Sequence, residues 1–259
     1  MKIATWNVNS IKVRLEGVLG WLRQAAPDVL CLQEIKVVDE AFPRQAFEDL
    51  GYNVAVHGQK TYNGVALLSK LPMQDVTPRL PGNPEDVQSR YLEAVIGGPQ
   101  PVRVASIYLP NGNPPDTDKY PYKLGWMARL KDRANELLKL EELLVLAGDY
   151  NVIPSARDVY NADAWRGDAL FLPETRLAYQ ALLAEGLTDA FRACNTDAGQ
   201  YSFWDYQAGA WQKNNGIRID HLLLSPQAAD CLRGAGIDKA VRAWEQPSDH
   251  VPVWCELAA

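Results

Sequence analysis

The sequence predicts an α/β protein built from two mixed β-sheets packed face to face with helices outside, and three observations carry that expectation. Apolar runs of strand length recur along the chain, among them 29–32, 102–107 and 143–147, and runs that apolar read as strands buried on both faces. Helical spacing of apolar residues appears near the start and again in the middle of the chain. Strand-like segments lie on both sides of that central helical stretch, so neither half is all helix or all strand.

Taken in order, 3–6 is the first strand. Leu15, Val18, Leu19 and Leu22 then follow the i, i+3, i+4, i+7 spacing of an amphipathic helix that stops before Pro27, and 29–32 is the next strand. A second helix is expected at 42–50, followed by strands at 52–56 and 64–68. The stretch 70–86 holds Pro72, Pro78, Pro81 and Pro84 and reads as a surface excursion. Strands at 91–96 and 102–109 adjoin across the Gly97-Gly98-Pro99 turn. The longest helix is expected over 118–140, with Met127, Leu130, Ala134, Leu137 and Leu138 on one face. After the strand that ends at Asp149 comes an irregular stretch, 153–173, and then a helix over 174–185. The remainder reads as strands at 201–206, 217–225, 236–243 and 251–257. In the last of these Val251, Val253, Cys255 and Leu257 alternate, as a strand with one face in the core requires.

The 259 residues suffice for one large domain or two small ones, and a hydrophobic content of 47% with 22% charged residues is ordinary for a globular protein. No apolar run approaches the roughly 18 residues of a membrane span, and polar residues 7–10 interrupt any signal-peptide core, so a cytoplasmic protein is expected. Cys31, Cys194, Cys231 and Cys255 show no zinc or redox spacing and read as reduced thiols. A net charge of −6 argues against a non-specific nucleic-acid coat, although Lys36, Lys60, Arg90, Lys119, Lys123, Lys213 and Arg218 could form a local basic face.

The chemistry concentrates where apolar runs end. The run 143–147 ends in Gly148-Asp149-Tyr150-Asn151, the run 3–6 in Asn7, the run 29–32 in Gln33-Glu34 and the run 102–107 in Tyr108-Leu109-Pro110-Asn111-Gly112. Late in the chain 216–219 leads to Asp220, and Ser248-Asp249-His250 precedes the last strand. One polar strand end is a turn; five or six carrying Asn, Glu, Tyr, Asp and His imply a shared, oxygen-rich site. Within it Gly148 is expected to let the chain turn, so that Asp149 and Asn151 emerge together to activate a water and hold an oxyanion. Glu34, with Asn7 beside it, suits a magnesium ion, which takes few carboxylates and keeps waters. Asp220, ending its strand, is placed to orient His250 from behind, and Tyr108 to bond a phosphate or protonate a leaving oxygen. His57 and His221 read as structural. Phe203 and Trp204, in an aromatic cluster leading to Lys213 and Arg218, offer either core or a stacking surface.

In this order the motifs Trp6-Asn7-Val8-Asn9, Leu32-Gln33-Glu34-Ile35-Lys36, 64–70, 108–112, 148–151, Arg218-Ile219-Asp220 and Ser248-Asp249-His250-Val251-Pro252 resemble those of the exonuclease III family of abasic-site endonucleases, within the endonuclease/exonuclease/phosphatase superfamily. The resemblance implies a single catalytic domain over 1–259 with a four-layered, DNase I-like α/β sandwich. It implies Mg²⁺-dependent hydrolysis, with Mn²⁺ as an alternative ion, of the phosphodiester 5′ to abasic sites in double-stranded DNA. Exonuclease and phosphatase action at 3′ ends would accompany it, in a monomeric enzyme. By the same resemblance Glu34 binds metal with Asn7 and Asp249, and the resemblance leaves open whether the site holds one metal or also a second near Asp149, Asn151 and His250. Asp149 handles the attacking water, Asn151 and His250 stabilise the pentacovalent phosphate, and Asp220 orients His250. Asn111, Lys123, Phe203, Trp204 and Arg218 are the expected substrate contacts. The turn after Asn111 lacks the basic residue that some relatives insert into DNA. Two other readings fit the residues: the same catalytic rim acting on a non-DNA phosphoester such as an inositol phosphate, and a catalytically inactive DNA-binding relative.

Overall fold

The computed structural model describes residues 1–259 and contains two six-stranded sheets. In chain order the elements are β1 (Lys2–Asn7), α1 (Ile11–Ala25), β2 (Val29–Gln33), α2 (Arg44–Glu48), β3 (Asn53–His57), β4 (Val65–Ser69), β5 (Met73–Pro78), β6 (Tyr91–Ile96), β7 (Val102–Tyr108) and α3 (Lys119–Leu138). They continue with β8 (Leu143–Asp149), α4 (Pro173–Ala184), β9 (Thr188–Asp189), α5 (Ala190–Cys194), β10 (Asp220–Leu224), α6 (Pro226–Asp230), β11 (Leu232–Ile237) and β12 (Val253–Leu257). The sheet orders are β11-β12-β1-β2-β4-β3 and β5-β6-β7-β8-β10-β9. Each sheet is antiparallel except for one central parallel pair, β1/β2 or β7/β8, joined by a crossover through α1 or α3.

Alternation along the strands makes the layers. Ile3, Val29, Cys31, Val65 and Leu67 of the first sheet meet Leu92, Val104, Val145 and Leu222 of the second in a core between the sheets. The opposite faces carry Trp6, Leu30 and Leu32 against Val18, Leu19 and Leu22 of α1, and Ile107, Leu144 and Leu146 against Trp126, Leu130 and Leu137 of α3 and Tyr179 of α4. The result is the expected four-layered sandwich. All four cysteines are free thiols, Cys31 and Cys255 inside the inter-sheet core. No helix is long and apolar enough to cross a membrane.

Several boundaries differ from the sequence expectation. The proline-rich excursion contains β5, a bulged edge strand, which is where a sheet tolerates proline. Residues 201–206 form no strand: Tyr201 and Trp204 turn into the core beneath α1, leaving Phe203 with isolated bridges to Ile217 and His250. The strand expected at 236–243 is displaced to Leu232–Ile237 and followed by a 3₁₀ turn. Gly148 does not turn the chain. It lies within β8, where an added Cβ would stand 2.0 Å from the Ile107 carbonyl oxygen, so close approach of β7 is what requires glycine there. Asp220 begins its strand instead of ending it, opposite Asp149 on β8.

Candidate active site

Parallel strands β1, β2, β7 and β8 all point their C-terminal ends at one rim, and antiparallel β10 and β12 start there. That single fact gathers Asn7, Glu34, Tyr108, Asp149, Asp220 and His250 from across the sequence. Glu34, Tyr108, Asp149 and His250 border a cavity of about 310 Å³ that also meets Asn111, Asn151, Phe203 and Asp249, with Asn7 and Asp220 buried behind them.

At its floor the Asn7 side-chain amide donates to Glu34 Oε1 at 2.8 Å and Asp149 Oδ2 at 2.9 Å, holding two carboxylates from different sheets on one nitrogen. The Asn7 oxygen accepts from the Asn9 backbone N–H at 3.0 Å, which fixes the direction of the amide that holds the two acids. Glu34 has a left-handed backbone, φ 48°, which is costly for a residue with a Cβ. Backbone bonds from Ser10 to its carbonyl and from Ile35 to Gly64 hold it there. The Lys36 ammonium sits 3.0 Å from Glu34 Oε2, a cation already at the carboxylate. Burial works against the Glu34 carboxylate, but Lys36 and the Asn7 amide keep its pKa below the ordinary value.

Asp149 Oδ1 accepts the Asn151 backbone N–H at 2.9 Å, and its other oxygen lies 3.7 Å from His250 Nε2. Asn151, also left-handed at φ 47°, donates one amide hydrogen to the Leu109 carbonyl and accepts from Asn111, leaving its second amide hydrogen unpaired within the protein. Behind His250, Nδ1 stands 2.9 Å from Asp220 Oδ2, which also accepts from Ser202 Oγ at 2.6 Å. Burial alone would depress the imidazole. The carboxylates of Asp220 and Asp149 reverse this and hold it up at about 10, so its Nε2 is a charged donor at neutral pH. Burial pushes Asp149 up to about 7 against the pull of His250, into the range where a carboxyl can take and release a proton. Tyr108 stays a phenol: burial, with Glu34 and Asp149 nearby, drives its pKa well above the ordinary value.

The donors at this floor are oxygens of Glu34, Asp149 and Asp249 with no thiol, a set that suits a hard divalent cation. Ligating atoms of Asp149, Asp220 and His250 lie within 4.8 Å of one another. Asp220 lies behind His250, bonded to it and to Ser202, whereas the carboxylates of Glu34 and Asp149 line the cavity.

Three expected substrate contacts are corrected. Lys123 is fully buried, its ammonium donating to the carbonyls of Pro110, Asn111 and Asn151, the last at 2.6 Å; it staples the two loops together and cannot reach a ligand. Arg218 is likewise buried, paired with Asp158 at 2.7 Å and Asp189 at 2.8 Å. Trp204 is core, edge-on to Trp211 and bonded to Asn214, whereas its neighbour Phe203 faces the cavity with its ring edge-on to His250 at 4.9 Å between centroids. Asn111 stands at the cavity as expected, and Asp249 lines it, accepting from Asn9 at 3.2 Å. The sequence reading missed Ser202 and the cavity walls Trp165, Leu170, Ile217 and Ile219. Trp165 and Leu170 lie in the irregular stretch, where no periodicity marks a residue's direction.

Comparison with known proteins places this geometry. Residues 4–250 match the model of the endonuclease/exonuclease/phosphatase family. Exodeoxyribonuclease III of Haemophilus influenzae is 37% identical, over 99% of this chain and 100% of its own. DNA repair nuclease APEX1 of Danio rerio is 32% identical over 100% of this chain and 82% of its own. Among solved structures, a 3′ phosphatase, NExo, from Neisseria bound to a product DNA hairpin superposes with a TM-score of 0.96 at 39% identity, covering 100% of both chains. An AP endonuclease from Archaeoglobus fulgidus gives 0.95 at 36%, again over 100% of both.

Proposed function

The chain belongs to the endonuclease/exonuclease/phosphatase family, in its exonuclease III branch, and we propose that it is a DNA repair nuclease that hydrolyses the phosphodiester 5′ to abasic sites and processes 3′ ends. The observation that carries the reading is the joint hold of Asn7 on Glu34 and Asp149, opposite a His250 kept charged by Asp220. An anionic oxygen site and a cationic donor thus stand side by side in one small cavity, Asp149 Oδ2 lying 3.7 Å from His250 Nε2, as attack on a phosphodiester demands. Glu34 and Asp149, with Asp249 at the edge, would hold Mg²⁺, or Mn²⁺ in its place. The ion supplies Lewis acidity to the phosphate oxygen.

This chain's own residues do the rest. Asp149 orients the attacking water and accepts its proton at Oδ2, the oxygen facing His250. His250 Nε2–H and the free Asn151 amide hydrogen meet the charge that grows on the phosphate, and the Tyr108 hydroxyl is available to the leaving oxygen. Asp220 keeps the imidazole oriented and protonated. Arg90, which packs over the Tyr108 ring at 4.8 Å, and Lys119 line the adjoining groove and take neighbouring phosphates. The whole of 1–259 acts as one catalytic domain, as a monomer in the cytoplasm.

The test is a labelled duplex with a single abasic analogue, beside an intact duplex with a recessed 3′ end, in Mg²⁺. Cleavage should leave a 3′-hydroxyl 5′ to the lesion. Asp149→Asn should cut the rate by more than roughly 10²- to 10³-fold, the cost of losing one transition-state donor, because the water activator goes too. Near-parental cleavage by Asp149→Asn would remove Asp149 from the chemistry. Metal-dependent release of phosphate from inositol phosphates, with DNA left intact, would overturn the substrate class.

A further inference from the structure

A second chamber of about 270 Å³ adjoins the catalytic cavity, and Trp165, Phe203, Asp205 and Ile217 line both. Tyr160, 41% exposed, adds a third aromatic ring to its wall. Resting on the nuclease reading above, we propose that this chamber is a nucleobase subsite: it stacks the base of the nucleotide beside the reacting phosphate on the Trp165 indole.

Charge, position and rigidity argue for a base there. No basic side chain lines the chamber, and the Asp205 carboxylate does, so a phosphate would be repelled; the cations lie in the groove on the Tyr108 side instead. An uncharged flat ring is what three aromatic walls accept, and Asn215 at the rim can bond a base edge. The chamber also starts one side chain from the chemistry, since Phe203 contacts both it and His250.

The loop carrying Tyr160 and Trp165 is pinned at both ends. On one side Asp158 pairs with Arg218 and the Tyr160 N–H donates to the Gly216 carbonyl at 3.1 Å. On the other, Asn113 donates to Asp168 at 3.1 Å. A ring held this way meets a base without first paying much ordering entropy.

The test compares two duplexes that differ only at the 3′ terminus, one ending in an ordinary nucleotide and one in a base-free analogue. Trp165→Ala should raise KM for the base-bearing end roughly 5- to 150-fold, the fold-change equivalent of losing one base–aromatic stack, and leave the base-free end unchanged. Trp165→Phe should restore most of the loss, which a collapsed loop would not allow, and Arg166→Ala beside it should change neither substrate. Directly, 2-aminopurine at the 3′ terminus should lose fluorescence on binding Asp149→Asn protein and regain it when Trp165→Ala is added. Equal losses on both ends, no loss on either, or quenching that survives Trp165→Ala overturns the subsite while leaving the nuclease reading intact. Parental protein that cleaves neither duplex overturns the nuclease reading itself.

Discussion

Asp220-His221 and Asp249-His250 are the same dipeptide in one chain, yet the functional pair takes one residue from each. Strand geometry decides this. Asp220 shares the inward face of β10 with Leu222 and Leu224 and reaches His250, whereas His221 points the other way with Leu223, between Tyr150 and Tyr179. There its Nε2 donates to the Val152 carbonyl at 2.9 Å and its Nδ1 faces the Arg218 guanidinium at 3.0 Å. Both histidines are buried beside carboxylates and a hydrogen-bond partner. What separates them is who supplies the positive charge: around His221 Arg218 already does, while in the metal-free protein no other side chain does so around His250, which carries the proton itself.

The largest effect that could break this contrast is on rate. His250→Gln should lower turnover on abasic DNA by roughly 10²- to 10³-fold, the range for one electrostatic donor, and Asp220→Asn should follow it because the imidazole loses the charge that keeps it protonated. His221→Gln should leave the rate nearly unchanged. Steady-state kinetics on folded protein decides it; a His221 variant as slow as the His250 variant would mean that the two are not divided as the geometry divides them.

How far the sequence carries this reading follows from the same contrast. The two sheets, their outer helices and the positions of Glu34, Asp149 and Asn151 were legible because apolar runs end abruptly in polar residues and a parallel pair must point those ends one way, and His250 because it stands just before an alternating strand. Lys123 and Arg218 were misread because a cation beside a motif looks like a ligand contact until its partners are known. Those partners are backbone carbonyls for Lys123 and, for Arg218, acids 60 and 29 residues away in sequence. Trp204 was misread and Trp165 missed for a related reason: neighbouring aromatics in an irregular segment carry no period that tells inward from outward.

A second effect falls on stability. Arg218→Leu leaves the Asp158 and Asp189 carboxylates without their buried cation and should cost about 3–5 kcal/mol, as breaking a buried ion pair does. Urea unfolding measures it. Turnover per folded molecule should fall far less than with His250→Gln. An Arg218→Leu protein as stable as the parent but markedly slower would place Arg218 in the reaction after all.

The smallest effect, and the sharpest, is the pH dependence of stability in metal-free protein, because the two histidines should contribute slopes of opposite sign. Burial first and Arg218 second push His221 down to about 4, below the 6.5 of an unperturbed histidine. Between those values the unfolded chain binds the proton and the native protein does not, so this contribution is complete above pH 6.5 and is lost as pH falls toward 4. A displacement of that size corresponds to on the order of 3 kcal/mol. His250 is held up at about 10, so its contribution is complete below pH 6.5 and is lost as pH rises toward 10. Urea midpoints measured across pH 4 to 10 should therefore flatten on the acid side in His221→Gln and on the alkaline side in His250→Gln. If both variants flattened the same side, the two histidines would share one protonation state in the folded protein, and the assignment of the single buried proton to His250 would fail.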